Sequence, residues 1–218
     1  MNDHKICFII CTNRDLYYNE CLYYLSRLEM PEGYAVEILP IRESKSLASG
    51  YNLAMVATDA KYKIYMHQDV SVLYRGFLNS ILDIFASDEK IGMIGMVGTP
   101  KMPEDTIPWN TDRVGNVYSR DPDNTDFGGY RYRIADGLRD VECVEGFLFA
   151  TSADLRWRED LFDGFDYADV AQAYEFRKNG KRVVVPEQNH PWCAHDYGIR
   201  NLWRYNRYRQ IFRKEYPE

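Results

Sequence analysis

The sequence predicts an α/β protein with a doubly wound, mostly parallel sheet, and three observations carry that expectation. The first hundred residues alternate between short apolar runs and segments whose apolar residues recur at helical spacing. Those runs are almost unbroken by polar residues, as a strand covered on both faces requires. The chain has 218 residues, 45% of them hydrophobic and 15% aromatic, enough for one sizeable core.

The elements follow in order. "KICFIICT" reads as the first strand. Tyr18, Cys21, Leu22, Leu25 and Leu28 then keep helical spacing until Pro31 and Gly33 stop it. "AVEILPI" gives a second strand, and Ser46 to Asp59 a second helix with Leu47, Tyr51, Ala54, Met55 and Thr58 on one stripe. "KYKIYMHQDVSV" opens as a third strand and places His67, Gln68 and Asp69 in a row. Phe77, Ile81, Ile84 and Phe85 mark a third helix, and "IGMIGMVG" a fourth strand.

The second half reads differently. Gly98 to Arg133 is irregular, rich in Pro, Asp, Asn and Gly, with Trp109, Phe127 and Tyr130 scattered through it; a loop this long in a compact domain is usually functional or mobile. "VECVEGFLFATS" resumes β structure. "FDYADVAQAYEFRKNG" predicts a helix ending at Gly180, followed by the strand "KRVVVP". The tail "NLWRYNRYRQIFRKEY" predicts a basic helix. No repeat and no linker appears, so one domain over 1–218 is expected.

Composition removes several classes of function. A formal net charge of −6 argues against a general nucleic-acid binder. No stretch approaches the ~20 apolar residues of a membrane span. The first residues have too short an apolar run, and no small-residue cleavage site, for a secretory signal. Cys7, Cys11, Cys21, Cys143 and Cys193 are odd in number and lack CxxC spacing, which predicts reduced thiols, no zinc site and a cytoplasmic setting. No GxGxxG follows the first strand and no GxxxxGK[ST] occurs, so the two common phosphate loops are missing.

Ligands of such sheets bind beyond the carboxyl ends of the strands. That rule sets Thr12, Asn13 and Arg14, then Arg42 and Glu43, then His67 and Asp69 along one rim. His67 and Asp69, two apart on an extended segment, point the same way. They suit a cation such as Mn²⁺ or Mg²⁺ held largely through substrate phosphates, or else form a solvated turn at a strand end. His195 in "WCAHDYG" is a further ligand candidate, or a structural histidine. Asp163, Asp166 and Asp169 lie three apart; Asp169 is the candidate general base, and the other reading of the run is a helix cap.

The order "ICTNR", "SLASGYNLAMVATDAKYKIYMHQDVSV", "VEGFLFATS", "LFDGFDYADVAQAYEFRKNGKRVVVP" and "HPWCAHDYG" is similar to that of the family 2 glycosyltransferases. More narrowly, it resembles small bacterial glycosyltransferase-like members whose metal motif reads His-x-Asp. The resemblance implies a single-domain GT-A fold that transfers a sugar from a nucleotide diphosphate sugar, most often a UDP-sugar. The acceptor is a hydroxyl on a saccharide or another molecule; the cofactor is Mn²⁺ or Mg²⁺, and the anomeric centre is inverted.

On this resemblance Thr12, Asn13 and Arg14 meet the nucleotide base, and Glu43 lies near base or ribose. Asn52 neighbours the donor, and His67 and Asp69 hold metal and diphosphate. Gly146 belongs to the acceptor-side strand, Asp169 is the base, and His195 stands near metal or diphosphate. The chain then divides into a nucleotide-sugar-binding half (1–97), an irregular loop (98–140), an acceptor-side half (141–197) and a C-terminal basic helix (198–218), a candidate for peripheral membrane contact. Two positions depart from the pattern: His67 replaces the first acid of the metal motif, and Ala168 precedes Asp169 where many relatives carry glutamate or tyrosine. The alternative is a protein that holds nucleotide or sugar on the same fold without turnover. A nucleotidyltransferase would need a glycine-rich basic loop after the first strand, which is missing.

Overall fold

The strand β1 (Asn2–Cys11) shows why the apolar runs are nearly continuous. Cys7 and Ile9 enter one core, while Ile6, Phe8 and Ile10 enter another on the opposite face of the sheet. In this computed structural model residues 1–120, 127–131, 137–196 and 202–217 are described, with backbone alone for 120 and 127–131.

The remaining strands are β2 (Ala35–Ile41), β3 (Ala60–His67), β4 (Val70–Val72), β5 (Ile91–Gly95), β6 (Val97–Thr99), β7 (Val114–Arg120), β8 (Phe127–Arg131), β9 (Arg139–Asp140), β10 (Cys143–Val144), β11 (Leu148–Thr151), β12 (Arg182–Val185) and β13 (Cys193–His195). The helices are α1 (Asp15–Leu25), α2 (Leu47–Ala57), α3 (Phe77–Ser87), α4 (Ala168–Lys178) and α5 (Tyr205–Glu215).

The main sheet runs β2-β1-β3-β11-β5-β12-β9. One face is covered by α1 and α3, through Cys21, Leu25, Phe77, Leu78, Ile81 and Phe85. The other is covered by α2, α4 and α5, through Tyr51, Met55, Ala173, Phe176, Tyr208 and Phe212. Helices on both faces of a sheet are the three-layer α/β architecture expected. The second helix starts where its cap dictates: Ser46 accepts from Ser49 N at 3.1 Å, and Ser46 N donates back to Ser49 Oγ at 3.1 Å.

The sheet is mixed where a mostly parallel one was expected. β1 pairs in parallel with β2 and β3, and β12 with β5, but β11 lies antiparallel between β3 and β5, and β9 antiparallel at the edge. A parallel neighbour needs a crossover, usually a helix. Among the described residues between β5 and β11 there is no α-helix, and the chain returns in the opposite direction.

That segment is also not the loop expected over 98–140. β6, β7 and β10, with β4 and β13, build a second sheet ordered β10-β6-β7-β13-β4, and β8 pairs with β7. The chain leaves the main sheet at Met96, whose carbonyl accepts from Asn116 N at 3.3 Å and from Gln188 Nε2 at 2.7 Å. Gly115, at φ +120°, passes so close that a Cβ there would lie 2.2 Å from the Met96 oxygen. β7 hides its strand character because it buries Asn116 and Ser119.

The tail helix is shorter than the tail sequence suggests, starting at Tyr205. Arg200 lies outside the described residues, and Tyr208 is fully buried with Phe212. α5 is therefore docked on the core by its apolar face. Arg207 sits 3.3 Å from Asp163, and Arg209 donates to the Asp105 carbonyl at 3.0 Å.

Candidate active site

The carboxyl ends of β1, β2 and β3 open on a recess of about 410 Å³ lined by Thr12, Asn13, Glu43, His67 and Asp69. Gln68 organises this rim. Its Oε1 accepts from Thr12 Oγ1 at 2.8 Å, Asn13 N at 3.0 Å and Arg14 N at 2.9 Å, and its Nε2 donates to Asn13 Oδ1 at 2.7 Å. One amide thus fastens the β1–α1 loop to the end of β3. Glu43 is exposed on the rim with a left-handed backbone, φ 57°, a conformation uncommon outside glycine.

After β3 the chain turns at Gln68–Asp69 into β4, and β13 runs antiparallel to β4 with His195 opposite Val70. The pairing continues through Asp196 N to the Asp69 carbonyl at 3.0 Å. This register brings His195 beside the turn, with its Nε2 3.5 Å from Asp69 Oδ1. Phe147 stacks on the His195 ring at 4.8 Å, and its carbonyl accepts from His67 N at 3.0 Å.

One ligand atom from each of His67, Asp69 and His195 lies within 4.8 Å of the other two. Burial, then the neighbouring His195, lowers the His67 pKa to about 4, leaving a neutral imidazole at neutral pH. Burial pushes the Asp69 carboxyl up, but the close approach of His195 and the attraction of both imidazoles more than offset it, so its pKa falls below the ordinary value. A carboxylate and two imidazoles on one side of a cleft are a donor set for a divalent cation. The buried Asp69 Oδ1 accepts no well-formed hydrogen bond, which an ion would remedy.

A second recess, about 300 Å³, shares His67 and Asp69 with the first and continues to Asp169 and His195. Asp169 is half-buried in the first turn of α4. It does not cap that helix. The cap position is Tyr167, left-handed at φ 63° with no side-chain cap bond, and its OH donates to the Thr106 carbonyl at 2.7 Å. Burial raises the Asp169 pKa to about 6, against the pull of the N–H groups of Val170, Asp169 itself and Gly146. Gly146 fits because it has no side chain: a Cβ there would lie 2.5 Å from Asp169 Oδ2. Asp163, by contrast, is exposed and bonded to the Tyr208 hydroxyl at 2.8 Å.

The family model described as "Glycosyltransferase like family" matches residues 7–216. The chain belongs to that family. No curated protein matches the sequence. Solved glycosyltransferases share its GT-A fold. S. aureus TarS aligns at TM-score 0.58 and 10% identity over 88% of this chain and 37% of its own. TarS 1–349 in complex with UDP gives 0.56 and 10% over 97% and 65%. The mannosyltransferase PcManGT from Pyrobaculum calidifontis, in complex with GDP-Man and Mn²⁺, gives 0.57 and 12% over 96% and 63%. The chain therefore spans between about a third and two thirds of the length of these structures.

Of the residues expected in this glycosyltransferase-like protein's site, Thr12, Asn13, Glu43, His67, Asp69, Gly146, Asp169 and His195 line the two recesses. Arg14 contributes its backbone N–H to the Gln68 clamp, with its side chain exposed near Tyr17. Asn52 is not brought to the cleft: its Nδ2 donates to the Trp157 carbonyl at 3.0 Å, and its Oδ1 accepts from Trp157 N at 2.9 Å. Gln68 and Phe165 are the residues sequence reasoning passed over.

Proposed function

We propose that this protein transfers a sugar from a nucleotide diphosphate sugar to an acceptor hydroxyl, with inversion at the anomeric carbon. The observation that carries the reading is Asp169, a carboxyl with its pKa raised to about 6, in a recess that shares His67 and Asp69 with the rim at the strand ends. A base with a pKa near the working pH is suited to take a hydroxyl proton. Residues 1–97 would hold the donor, with base and ribose at Thr12, Asn13, Arg14 and Glu43, and residues 141–197 would hold the acceptor.

The donor would lie along the strand-end recess with its diphosphate at His67, Asp69 and His195. Those three residues would hold Mn²⁺ or Mg²⁺, with oxygens of the substrate phosphates supplying further ligands. An ion held there would offset the negative charge that develops on the leaving diphosphate. Asp169 removes the proton from the acceptor hydroxyl as its oxygen bonds to the anomeric carbon and the bond to diphosphate breaks. A single displacement of this kind inverts the centre. Support for the donor class comes from the fold neighbours: TarS is in complex with UDP or UDP-GlcNAc, and PcManGT with GDP-Man. Thermal shift with UDP-GlcNAc and GDP-Man, with and without Mn²⁺, followed by donor hydrolysis, tests the reading; binding without hydrolysis or transfer would favour a non-catalytic binder.

Gln68 supplies a separate expectation. Gln68→Leu removes an acceptor that serves three donors, so the β1–α1 loop loses its anchor. UDP affinity measured by calorimetry is expected to fall ~3–10-fold, with a stability loss of about 1–2 kcal/mol. Unchanged UDP affinity would take this loop out of the donor site.

No described helix is long and apolar enough to cross a membrane. With α5 docked by its apolar face, apolar contact of the tail with a membrane would fall to the exposed Leu202 and Trp203. Two residues offer little apolar area, so flotation with anionic vesicles is expected to leave the protein at the bottom of the gradient. Salt-sensitive flotation would restore the peripheral reading.

A further inference from the structure

The acceptor-side recess carries an unbalanced charge that bears on which molecule can enter it, an inference that rests on the transferase reading above. Asp166 and Asp169 both line it, and both have their pKa raised by burial. Glu145 also lines it but is paired with Arg113. Among the described residues of the wall there is no lysine or arginine, and neither Asp166 nor Asp169 forms a salt bridge with a described residue. The rest of the wall is largely aromatic. Trp109 and Tyr205 have ring centroids 4.7 Å apart, and the buried Tyr167 backs Tyr205, also at 4.7 Å. Phe165, 60% exposed, stands where this recess meets the strand-end recess.

We propose that the acceptor is a neutral saccharide that lays a C–H face of its ring on the Trp109–Tyr205 wall, and that acceptors bearing phosphate or carboxylate in this recess are rejected. Aromatic faces pack well against C–H groups and gain nothing from an anion. A carboxylate within several ångströms repels a ligand anion strongly where the walls exclude water. Asp166 and Asp169 face no lysine or arginine among the described residues, and the charge of a cation held at His67, Asp69 and His195 would be taken up by Asp69 and the donor diphosphate, so that repulsion would stay uncompensated and govern selection. Sugar hydroxyls, in turn, can donate to the same carboxylates.

Saturation-transfer NMR with cellobiose and with its anionic counterpart, cellobiouronic acid, tests the assignment on the full chain with Mn²⁺ and UDP present. Cellobiose is expected to receive saturation on its ring C–H protons, and the uronate to bind on the order of tenfold more weakly or not at all. Trp109→Ala should weaken cellobiose about two- to tenfold, with its melting temperature checked in parallel. Asp166→Lys should admit the uronate, a gain that a misfolded variant cannot imitate. Equal or tighter binding of the uronate by the wild type overturns the proposal, as does cellobiose binding indifferent to Trp109→Ala. UDP binding is read in the same samples. Mn²⁺-dependent UDP binding with no cellobiose binding rejects the acceptor assignment alone, whereas loss of both rejects the transferase reading beneath it.

Discussion

Asp69→Ala is expected to abolish Mn²⁺-dependent nucleotide binding while leaving the fold in place. Asp69 is the one carboxylate among the three residues whose ligand atoms gather within 4.8 Å, and it is shared by the two recesses. Without it two imidazoles remain, a set that gives a hard dication no charge compensation. Mn²⁺ affinity should fall at least about 100-fold, more than the ~10–100-fold typical of losing an outer-shell partner. The backbone at this turn is held by the Asp69 carbonyl, which alanine keeps.

The same substitution has a smaller effect on stability, with a definite sign. The carboxyl pKa lies below its unfolded value, so the charged form stabilises the fold above the ordinary carboxylate range, and this contribution is lost as acid titrates it. At neutral pH the variant should therefore be slightly less stable without metal, and the difference should close in acid. Calorimetry of UDP with and without Mn²⁺ decides the main point. Equal UDP affinity in both proteins with Mn²⁺ present would remove Asp69 from the donor site.

How much of this was legible beforehand depends on whether the signal was local. The strand-end rim was readable, because a parallel βαβ run fixes which ends of the strands face the ligand, and Thr12, Glu43, His67 and Asp69 followed from it. His195 was only a candidate from sequence, since the register that pairs it opposite Val70 joins segments 125 residues apart by their numbers. Asn52 shows the converse. Its helix was predicted correctly, but no periodicity reveals that the backbone of Trp157, 105 residues on, satisfies both ends of its amide.

Gln68 was visible in the motif and given no role, because an amide between two ligand candidates has no spacing signature; only the folded loop shows three donors converging on one oxygen. The second sheet escaped for a physical reason. β7 buries Asn116 and Ser119 and contains a left-handed glycine, so neither alternation nor an apolar run marks it as a strand. The missing helical pattern before "VEGFLFATS" was a usable sign that β11 would enter the sheet antiparallel.

Asp169→Asn is expected to reduce sugar transfer ~10²–10⁴-fold, the usual worth of a general base, while donor binding stays near wild type. An amide keeps the shape against Gly146 but cannot accept the proton. A helix-cap role predicts the reverse, since asparagine caps about as well as aspartate, and the cap of α4 is in any case the left-handed Tyr167. Stability supplies an independent check. The carboxyl pKa is about 6 in the folded protein against an ordinary value of 3.8, so the folded state holds its proton more tightly. Between about pH 4 and pH 6 this carboxyl has ionised in the unfolded chain and not in the folded one, so its own contribution to wild-type stability falls with rising pH by up to about 3 kcal/mol. The substituted amide has no such titration, so the variant's relative stability should grow through that window and stay level above it. Activity in the wild type should fall as the pH drops below about 6, where the base becomes protonated. A variant that transfers sugar at the wild-type rate would exclude Asp169 as the base and leave Asp166, half-buried in the same recess, as the group to test next.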